Sequence, residues 1–183
     1  MRYAVAFIAV VIAAAGAVLY LEDAKPGWYG RIRYPLEYQT IIKGHAKNYD
    51  LDPSLLAAVI YTESKFDASA RSDAGAVGLM QLLPETAQGI ATRTGGHKFV
   101  VGDLLDPEIN VRYGSWYLRN LLNRYDDDLP TALAAYHAGQ GNVDAWRRRG
   151  VGVQFPETRS YVKKVLHAEE VYADAYGDEL SGA

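Results

Sequence analysis

Five prolines, each at the start of a helix-like segment, constrain the fold of this chain more than any other feature. Proline fits the first turn of a helix, where its missing N–H is not needed, but it disrupts a helix interior. At two of the five sites the preceding residue is an aspartate, which can accept hydrogen bonds from the free N–H groups of a helix start. The pattern predicts an all-α, mostly helical domain with helices beginning near Pro53, Pro84, Pro107, Pro130 and Pro156.

Apolar residues recur at helical spacing after each of these starts, and also before the first of them. One stretch, 99–105, is compatible with either a loop or a short strand. No internal repeat is present. The predicted helices cover residues 38–49, 52–63, 84–94, 106–125, 130–138, 143–149 and 156–176.

Glu63 ends the second of these helices on its apolar face. Leu56, Val59 and Ile60 lie seven, four and three residues before it, so all four side chains share one stripe of the helix. Burial raises the pKa of a carboxyl group, and the negative end of the helix dipole acts in the same direction. Glu63 is therefore a candidate general acid. The alternative is a glutamate that caps the helix end or faces solvent.

The segment after Glu63 is too polar and too rich in glycine for a core helix. Gly75 and Gly78 suit a backbone that turns tightly or lets a ligand come close. Gln81 stands between Met80 and Leu82, as expected of a pocket wall that carries one hydrogen-bonding side chain. The segment predicts a binding surface next to Glu63.

The first 24 residues predict a membrane anchor. Tyr3 to Leu21 contains no charged residue and is about long enough to span a bilayer, with Arg2 before it and acidic residues after it. A cleavable signal peptide is the alternative, and a buried soluble helix is a weaker one. We expect a linker at 25–36, whose arginines could contact lipid headgroups or merely be solvated, one domain at 37–176 and a frayed tail at 177–183.

The composition excludes several classes of function. A net charge of −3 gives no electrostatic basis for binding nucleic acid. The absence of cysteine rules out disulfides, zinc–thiolate sites and a lipoprotein anchor. The four histidines show no metal-ligand spacing, so we expect no metal and no cofactor: His45, His97, His137 and His167.

Four motifs in a fixed order give the chain a family resemblance over roughly residues 38–172. They are Glu63-Ser64, the run GLMQLLP at 78–84, the run AYHAGQGNV at 135–143 and the run ETRSYV at 157–162. With them the chain resembles the SLT-type lytic transglycosylases, which cleave bacterial peptidoglycan and share a lysozyme-like, mostly helical fold of the goose type.

The resemblance implies a site as well as a fold. It makes Glu63 the catalytic acid and places three residues along the sugar cleft, namely Ser72, Gln81 and Leu83. Four more match positions in or near the site, namely Tyr136, His137, Glu157 and Tyr161. Without the family, Tyr136 could equally be a core-packing residue, Tyr161 would be assigned to the core, and Glu157 would be interpreted as a helix-dipole partner. His137 stands where many relatives carry asparagine, so the pH response of the site is open.

The chemistry implied is cleavage of the bond between N-acetylmuramic acid and N-acetylglucosamine outside the cytoplasm, in the periplasm or cell-wall space. Glu63 acts first as acid and then as base, and the sugar's own 6-hydroxyl closes a 1,6-anhydro ring. A hydrolytic muramidase is one alternative and needs a second carboxylate, for which Asp67 and Asp73 are nearby in sequence. A non-enzymic glycan-binding or assembly module is the other. The expected partners are glycan strands and, through residues 3–21, the bilayer.

Overall fold

The structure is a computed structural model that describes residues 2–24, 27–95 and 98–181. Within these ranges it contains α-helices and one short 3-10 helix but no β-strand, which confirms the predicted all-α class. The 3-10 helix covers Val101–Leu105. The α-helices are α1 (Arg2–Ala24), α2 (Gly27–Arg33), α3 (Gln39–Asn48), α4 (Pro53–Ser64), α5 (Pro84–Thr94), α6 (Pro107–Arg124), α7 (Leu129–Ala138), α8 (Gln140–Arg148) and α9 (Pro156–Ser181).

The prolines mark helix starts as predicted. Proline occupies the first or second position of α4, α5, α6 and α7, and Pro156 begins α9. The side chain of Asp52 accepts hydrogen bonds from the backbone N–H groups of Ser54 and Leu55, at 2.7 and 3.2 Å. Asp106 caps α6 in the same way. These caps fix where the helices that carry the site begin.

Helix α4 runs through the centre of the domain. Every residue from 54 to 60 is buried, so this helix is apolar on all sides rather than on one stripe. Its main neighbour is the long helix α9, and α3 packs on it as well. Because α4 is surrounded, a side chain at its C-terminal end emerges directly from the core.

A smaller apolar cluster lies beside the main core and supports the loop at 65–83. It joins Val77 and Leu82 of the loop to side chains of α5, α6 and the 3-10 helix. Two isolated β-bridges, Arg71 to Val77 and Val77 to Leu82, are the regular pairing in this loop. This loop (residues 65–83), the platform loop, is therefore folded, although it contains no helix or strand.

Asn110, a buried residue in the first turn of α6, holds this loop in place. Its Nδ2 donates to the carbonyl oxygens of Val77 and Leu104, both at 2.9 Å, and its Oδ1 accepts from the N–H of Met80 at 2.7 Å. Gly78 passes directly over this amide with φ 82°, and a Cβ there would lie 2.2 Å from Asn110 Nδ2. Only glycine fits both the backbone angle and the space.

The prediction of a linker is wrong for residues 27–33, which form α2. This helix packs against α9, where Gly30 is buried close to Val171 and Ala175. Arg31 forms an ion pair with Glu179 at 2.6 Å, so its charge is directed at α9 and not at a free tether. A glycine without a side chain allows this close approach of two helices, and in the sequence the same glycine reads as a loop signal. Pro26 lies outside the described residues.

The prediction of a frayed tail is wrong for residues 177–181, because α9 continues to Ser181. Leu180 is buried, and the hydroxyl of Tyr176 donates to the carbonyl oxygen of Tyr34 at 3.1 Å. These contacts hold the end of the helix against α2 and the segment that follows it. Residues 182 and 183 lie outside the described part of the chain, as do Gly96 and His97. The stretch left open at 99–105 contains the 3-10 helix.

The predicted anchor forms helix α1, with apolar side chains such as Phe7 and Ile12 exposed. Across the ranges that the structure describes, no helix combines the length and the apolar character needed to cross a bilayer. The anchor at 3–21 is therefore not confirmed.

We predict that Asn110→Ala lowers the free energy of unfolding by about 2–4 kcal/mol, because three buried backbone groups lose their partner. Asn120→Ala is the matched control: Asn120 is on the same helix but exposed, with one hydrogen bond to Trp116. Its effect is expected to stay below about 1 kcal/mol. Urea unfolding of both variants measures the difference, and equal losses would contradict the role given to Asn110.

Candidate active site

Glu63 lies in the last turn of α4, where the central helix leaves the core. Its carboxylate is partly buried and faces α9. The hydroxyl of Tyr161, itself a buried residue of α9, donates to Glu63 Oε1 at 2.7 Å. Helices α4 and α9, which pack against each other in the core, thus also bring the carboxylate and the phenol together.

The surroundings of Glu63 favour its protonated form. Burial raises the pKa of its carboxyl from 4.5 to about 7, while the hydrogen bond from Tyr161 acts in the opposite direction. Burial wins because one hydrogen bond replaces only part of the lost hydration. A carboxyl group with this pKa can give up a proton and take one back near neutral pH.

Two tyrosines border this carboxyl group, and both keep their protons. Burial, followed by the negative charge of Glu63, raises the pKa values of Tyr161 and Tyr136 well above 10. The hydroxyl of Tyr136 donates to the carbonyl oxygen of Met80 at 2.8 Å and not to Glu63. Tyr136 therefore ties α7 to the platform loop, whereas Tyr161 contacts the carboxylate.

His137 supports Tyr161 as a neutral side chain. The centroids of the two rings are 4.6 Å apart, and His137 Nδ1 lies 3.0 Å from Thr158 Oγ1. Desolvation lowers the pKa of this imidazole below 6.5, and the charge of Glu157 opposes the shift without reversing it. A neutral imidazole can accept or donate one hydrogen bond here, as the amide of asparagine can. The lowered pKa favours an uncharged ring at neutral pH.

The three cleft residues that the resemblance implies lie on or next to the platform loop. Ser72 Oγ accepts from the N–H of Ala76 at 3.0 Å. Gln81 has φ 47°, and its Nε2 donates to the carbonyl oxygens of Ala70 and Gly78 at 3.1 and 2.9 Å. Both side chains brace the loop. Leu83, at the N-terminus of α5, is 39% exposed and presents an apolar surface.

A cavity of about 770 Å³ opens beside Glu63 between α4, α9 and the end of α2. Four of the predicted site residues border it: Glu63, His137, Glu157 and Tyr161. The other four, Ser72, Gln81, Leu83 and Tyr136, do not. The structure thus divides the predicted set. Glu63 is among the residues on the cavity wall, whereas Tyr136 lies outside the cavity and bonds to Met80 of the platform loop.

Most residues of the cavity wall were not predicted from the sequence. Ser160 directly precedes Tyr161 and Lys164 lies one helical turn after it, so both could have been found from their positions on α9. Arg33 and Tyr34 come from the segment read as a linker, so no local signal pointed to them. The residues missed are Arg33, Tyr34, Tyr61, Thr62, Lys65, Ser160, Lys164, His167 and Ala168.

The two aspartates considered as a second carboxylate do not border the cavity. Asp67 Oδ1 accepts hydrogen bonds from the hydroxyl and the N–H of Ser69, at 2.7 and 2.8 Å, which lowers its pKa. Asp73 is exposed on the loop. Glu157 is the other glutamate on the cavity wall. Among the described residues no group of three or more His, Asp or Glu side chains is arranged to hold a metal ion.

Comparison with known proteins identifies the family of this chain. The family model described as the transglycosylase SLT domain matches residues 40–154, more than half of the chain. The chain belongs to the SLT transglycosylase domain family. The matched region begins in α3 and includes Glu63, the platform loop and Tyr136, and it ends before α9.

Individual SLT relatives cover more of the chain than the family model does. The soluble lytic murein transglycosylase of Escherichia coli K12 is 32% identical over 159 residues, which cover 80% of this chain. A transglycosylase of enterobacteria phage PRD1 is 36% identical over 131 residues and 72% of this chain. The 70 kDa soluble lytic transglycosylase of E. coli, solved by crystallography, superposes with a TM-score of 0.76 at 30% identity over 83% of this chain.

The relatives are longer proteins than this SLT chain. The chain spans 24% of the E. coli K12 relative, 42% of the phage protein and 26% of the solved E. coli structure. A second solved relative, an inactive glutamate-to-glutamine mutant of the lytic transglycosylase Slt from Pseudomonas aeruginosa, is 32% identical with a TM-score of 0.74. That alignment covers 80% of this chain and 25% of the Slt chain.

The raised pKa of Glu63 also predicts a cost in stability. The folded protein holds this proton more tightly than the unfolded chain does, so the stability of the wild type falls as pH rises from about 4.5 to about 7. Glu63→Gln has no proton to lose. Its free energy of unfolding should therefore exceed that of wild type by up to about 3 kcal/mol at pH 8, and by little at pH 4.5.

Urea unfolding at the two pH values measures this gain. Glu157→Gln, the same exchange at an exposed glutamate of the same cavity, is the control and should show no such increase. A Glu63→Gln gain that is equal at both pH values would contradict the burial of an ionisable carboxylate.

Proposed function

We propose that this chain is a peptidoglycan lytic transglycosylase that cleaves the β-1,4 bond between N-acetylmuramic acid and N-acetylglucosamine. One observation carries the proposal: a single carboxyl group, with a pKa raised to about 7, stands at the end of the central helix on the wall of an open cavity. A general acid for glycosidic bond cleavage needs this combination of a retained proton and access to substrate.

In the proposed reaction, protonated Glu63 donates its proton to the oxygen that links the two sugars. The bond between this oxygen and C1 of the muramyl sugar then breaks, and the oxygen leaves with the other sugar. The hydrogen bond from Tyr161 stabilises the carboxylate that results. The muramyl N-acetyl group stabilises the positive charge at C1. Glu63 then accepts the proton of the muramyl 6-hydroxyl as its oxygen bonds to C1. The ring closes as a 1,6-anhydro sugar, and Glu63 regains its proton.

The position of the acidic side chains favours ring closure over hydrolysis. Most glycosidases place a second carboxylate opposite the acid, where it acts as nucleophile or as base for water. Asp67 and Asp73 are outside the cavity, so neither fits that role. Glu157 is the remaining candidate for a hydrolytic muramidase. A non-enzymic glycan-binding module gives no reason for a carboxyl group whose burial costs stability.

The remaining site residues have proposed roles that follow from where they lie. Ser72 and Gln81 keep the loop in shape for sugar binding, and Leu83 offers an exposed apolar side chain to a sugar ring. Tyr136 and His137 hold the loop and Tyr161 in position. Glu157 faces substrate from the N-terminal end of α9.

The relatives support the reaction and its location. The similar proteins are named lytic murein transglycosylases, and one solved relative is an inactive glutamate-to-glutamine mutant. Their murein substrate supports an activity outside the cytoplasm, and we assign that activity to a catalytic domain at residues 37–176. Contact of residues 3–21 with the bilayer stays a prediction, which fractionation of the full chain with membranes tests.

The product distinguishes the proposal from its alternatives. Digestion of purified peptidoglycan should release muramyl ends that are lighter by one water than hydrolysis products and resist borohydride. Glu63→Gln should lower the rate by ~10²–10⁴-fold, because the amide keeps the shape but cannot deliver a proton. Asp67→Asn and Asp73→Asn are the matched controls and should retain activity.

Mass analysis of the digest before and after borohydride gives the answer. Reducible muramic ends would make the protein a muramidase, with Glu157 as the first candidate for its second carboxylate. A protein that binds glycan strands without cutting them would be the non-enzymic module.

A further inference from the structure

Three basic side chains share one side of the cavity beside Glu63: Arg33, Lys65 and Lys164. Arg33 ends α2, Lys65 follows α4, and Lys164 lies on α9, so the tertiary fold and not a local sequence run brings them together. All three are exposed to the solvent of the cavity. None of them belongs to the motifs that carry the family resemblance.

The three charges are close enough to repel one another. Burial lowers the pKa of Lys65, and the positive charges of Lys164 and Arg33 lower it further. Lys65 is also fixed in place, because its Nζ donates to the carbonyl oxygen of Tyr61 at 2.9 Å and lies 3.7 Å from the centroid of the Tyr61 ring. The cavity therefore holds a preformed cluster of like charges.

Within the part of the chain that the structure describes, neither Arg33 nor Lys164 forms an ion pair. Burial raises the pKa of Glu63 and the hydrogen bond from Tyr161 lowers it, and the three cations are not among the causes of the shift. Their charges are thus neither neutralised by the protein nor used to set the acidity of Glu63. They are available to a ligand in the cavity.

The cavity is polarised along α9. Glu157 and His137 lie at one end, Tyr161 with Glu63 in the middle, and Lys164 beyond them. At 1.5 Å of rise per residue, the backbone of Lys164 is ~4.5 Å further along the helix than that of Tyr161 and ~10 Å from that of Glu157. A substrate held at Glu63 therefore has positive charge on one side only.

We propose that Arg33, Lys65 and Lys164 form a subsite that binds a carboxylate carried by the glycan substrate next to the bond that is cleaved. The inference rests on the proposed function. Muramic acid carries a lactyl group that ends either in a free carboxylate or in a peptide with carboxylates of its own, and both sources present the same chemistry to the cluster. A neutral glycan such as an N-acetylglucosamine oligomer has no group that could occupy it.

Such a subsite acts on substrate affinity. The carboxylate is remote from the atoms that react, so its contact is made equally before and during bond cleavage and changes KM more than kcat. Because the cations are exposed, the interaction weakens as salt is added. A merely structural role for these side chains would produce neither the dependence on substrate charge nor the dependence on salt.

The test compares the double variant Arg33→Gln/Lys164→Gln with wild type on three substrates: naked glycan strands with free lactyl carboxylates, the same strands after amidation, and peptide-bearing strands. Lys163→Gln is the control, since Lys163 is an exposed neighbour on α9 that does not border the cavity. Circular dichroism verifies that each variant is folded.

We expect the double variant to raise KM roughly three- to tenfold on carboxylate-bearing strands at low salt, with kcat within about twofold. On amidated naked strands it should match wild type, and Lys163→Gln should match wild type on every substrate. An increase on the naked strands supports the lactyl carboxylate as the ligand, and an increase on peptide-bearing strands alone supports the peptide. Equal KM values for the double variant and wild type on both carboxylate-bearing substrates would overturn the inference.

Calorimetry separates this inference from the proposed activity. In the Glu63→Gln background no bond is cut, and the Kd for naked and amidated strands is measured directly. If wild type cleaves nothing, the proposed function fails, but a weaker Kd of the double variant for carboxylate-bearing strands still supports the subsite. Kd values that do not change with substrate charge would contradict it.

Discussion

The burial of one carboxyl group at the end of an apolar helix is the constraint on which the rest of this structure depends. Helix α4 is buried on all sides, and Glu63 is the first acidic residue to emerge from it. Loss of water around the carboxylate raises its pKa to about 7, against a single hydrogen bond from Tyr161 that favours the charged form. The same desolvation that makes Glu63 a proton donor makes it a cost to the fold, as expected of a functional group.

The elements around Glu63 keep it half-covered without closing over it. Helix α9 supplies Tyr161 from one side, and the platform loop meets α7 through the bond between Tyr136 and Met80. The loop has no helix or strand ladder to hold it. The buried side chain of Asn110 instead bonds three backbone groups, namely the N–H of Met80 and the carbonyl oxygens of Val77 and Leu104. Because both polar atoms of the Asn110 side chain have partners, the loop that it holds is rigid. A proton donor such as Glu63 needs rigid surroundings to act on a positioned substrate.

Much of this could be read from the sequence, because the signals are local. Asp52 and Asp106 with their prolines gave the helix starts, and the apolar spacing before Glu63 placed it on the core face of its helix. The errors arose where a distant partner overrides the local signal. In the sequence Gly30 indicates a turn, but in the structure α9 packs against it. Residues 177–181 look like a tail in the sequence, but Glu179 pairs with Arg31 of α2. The three cavity cations are far apart in the sequence, so no spacing could relate them.

The claim at the centre of this account is that Glu63 retains its proton near neutral pH, and a direct titration tests it. NMR of protein labelled with ¹³C at the glutamate carboxyls follows each group with pH, and the signal that is absent from Glu63→Gln identifies residue 63. We predict a midpoint of about 7 for this signal. A midpoint near 4.5, the ordinary value for glutamate, would contradict it and would remove the physical basis for Glu63 as the acid.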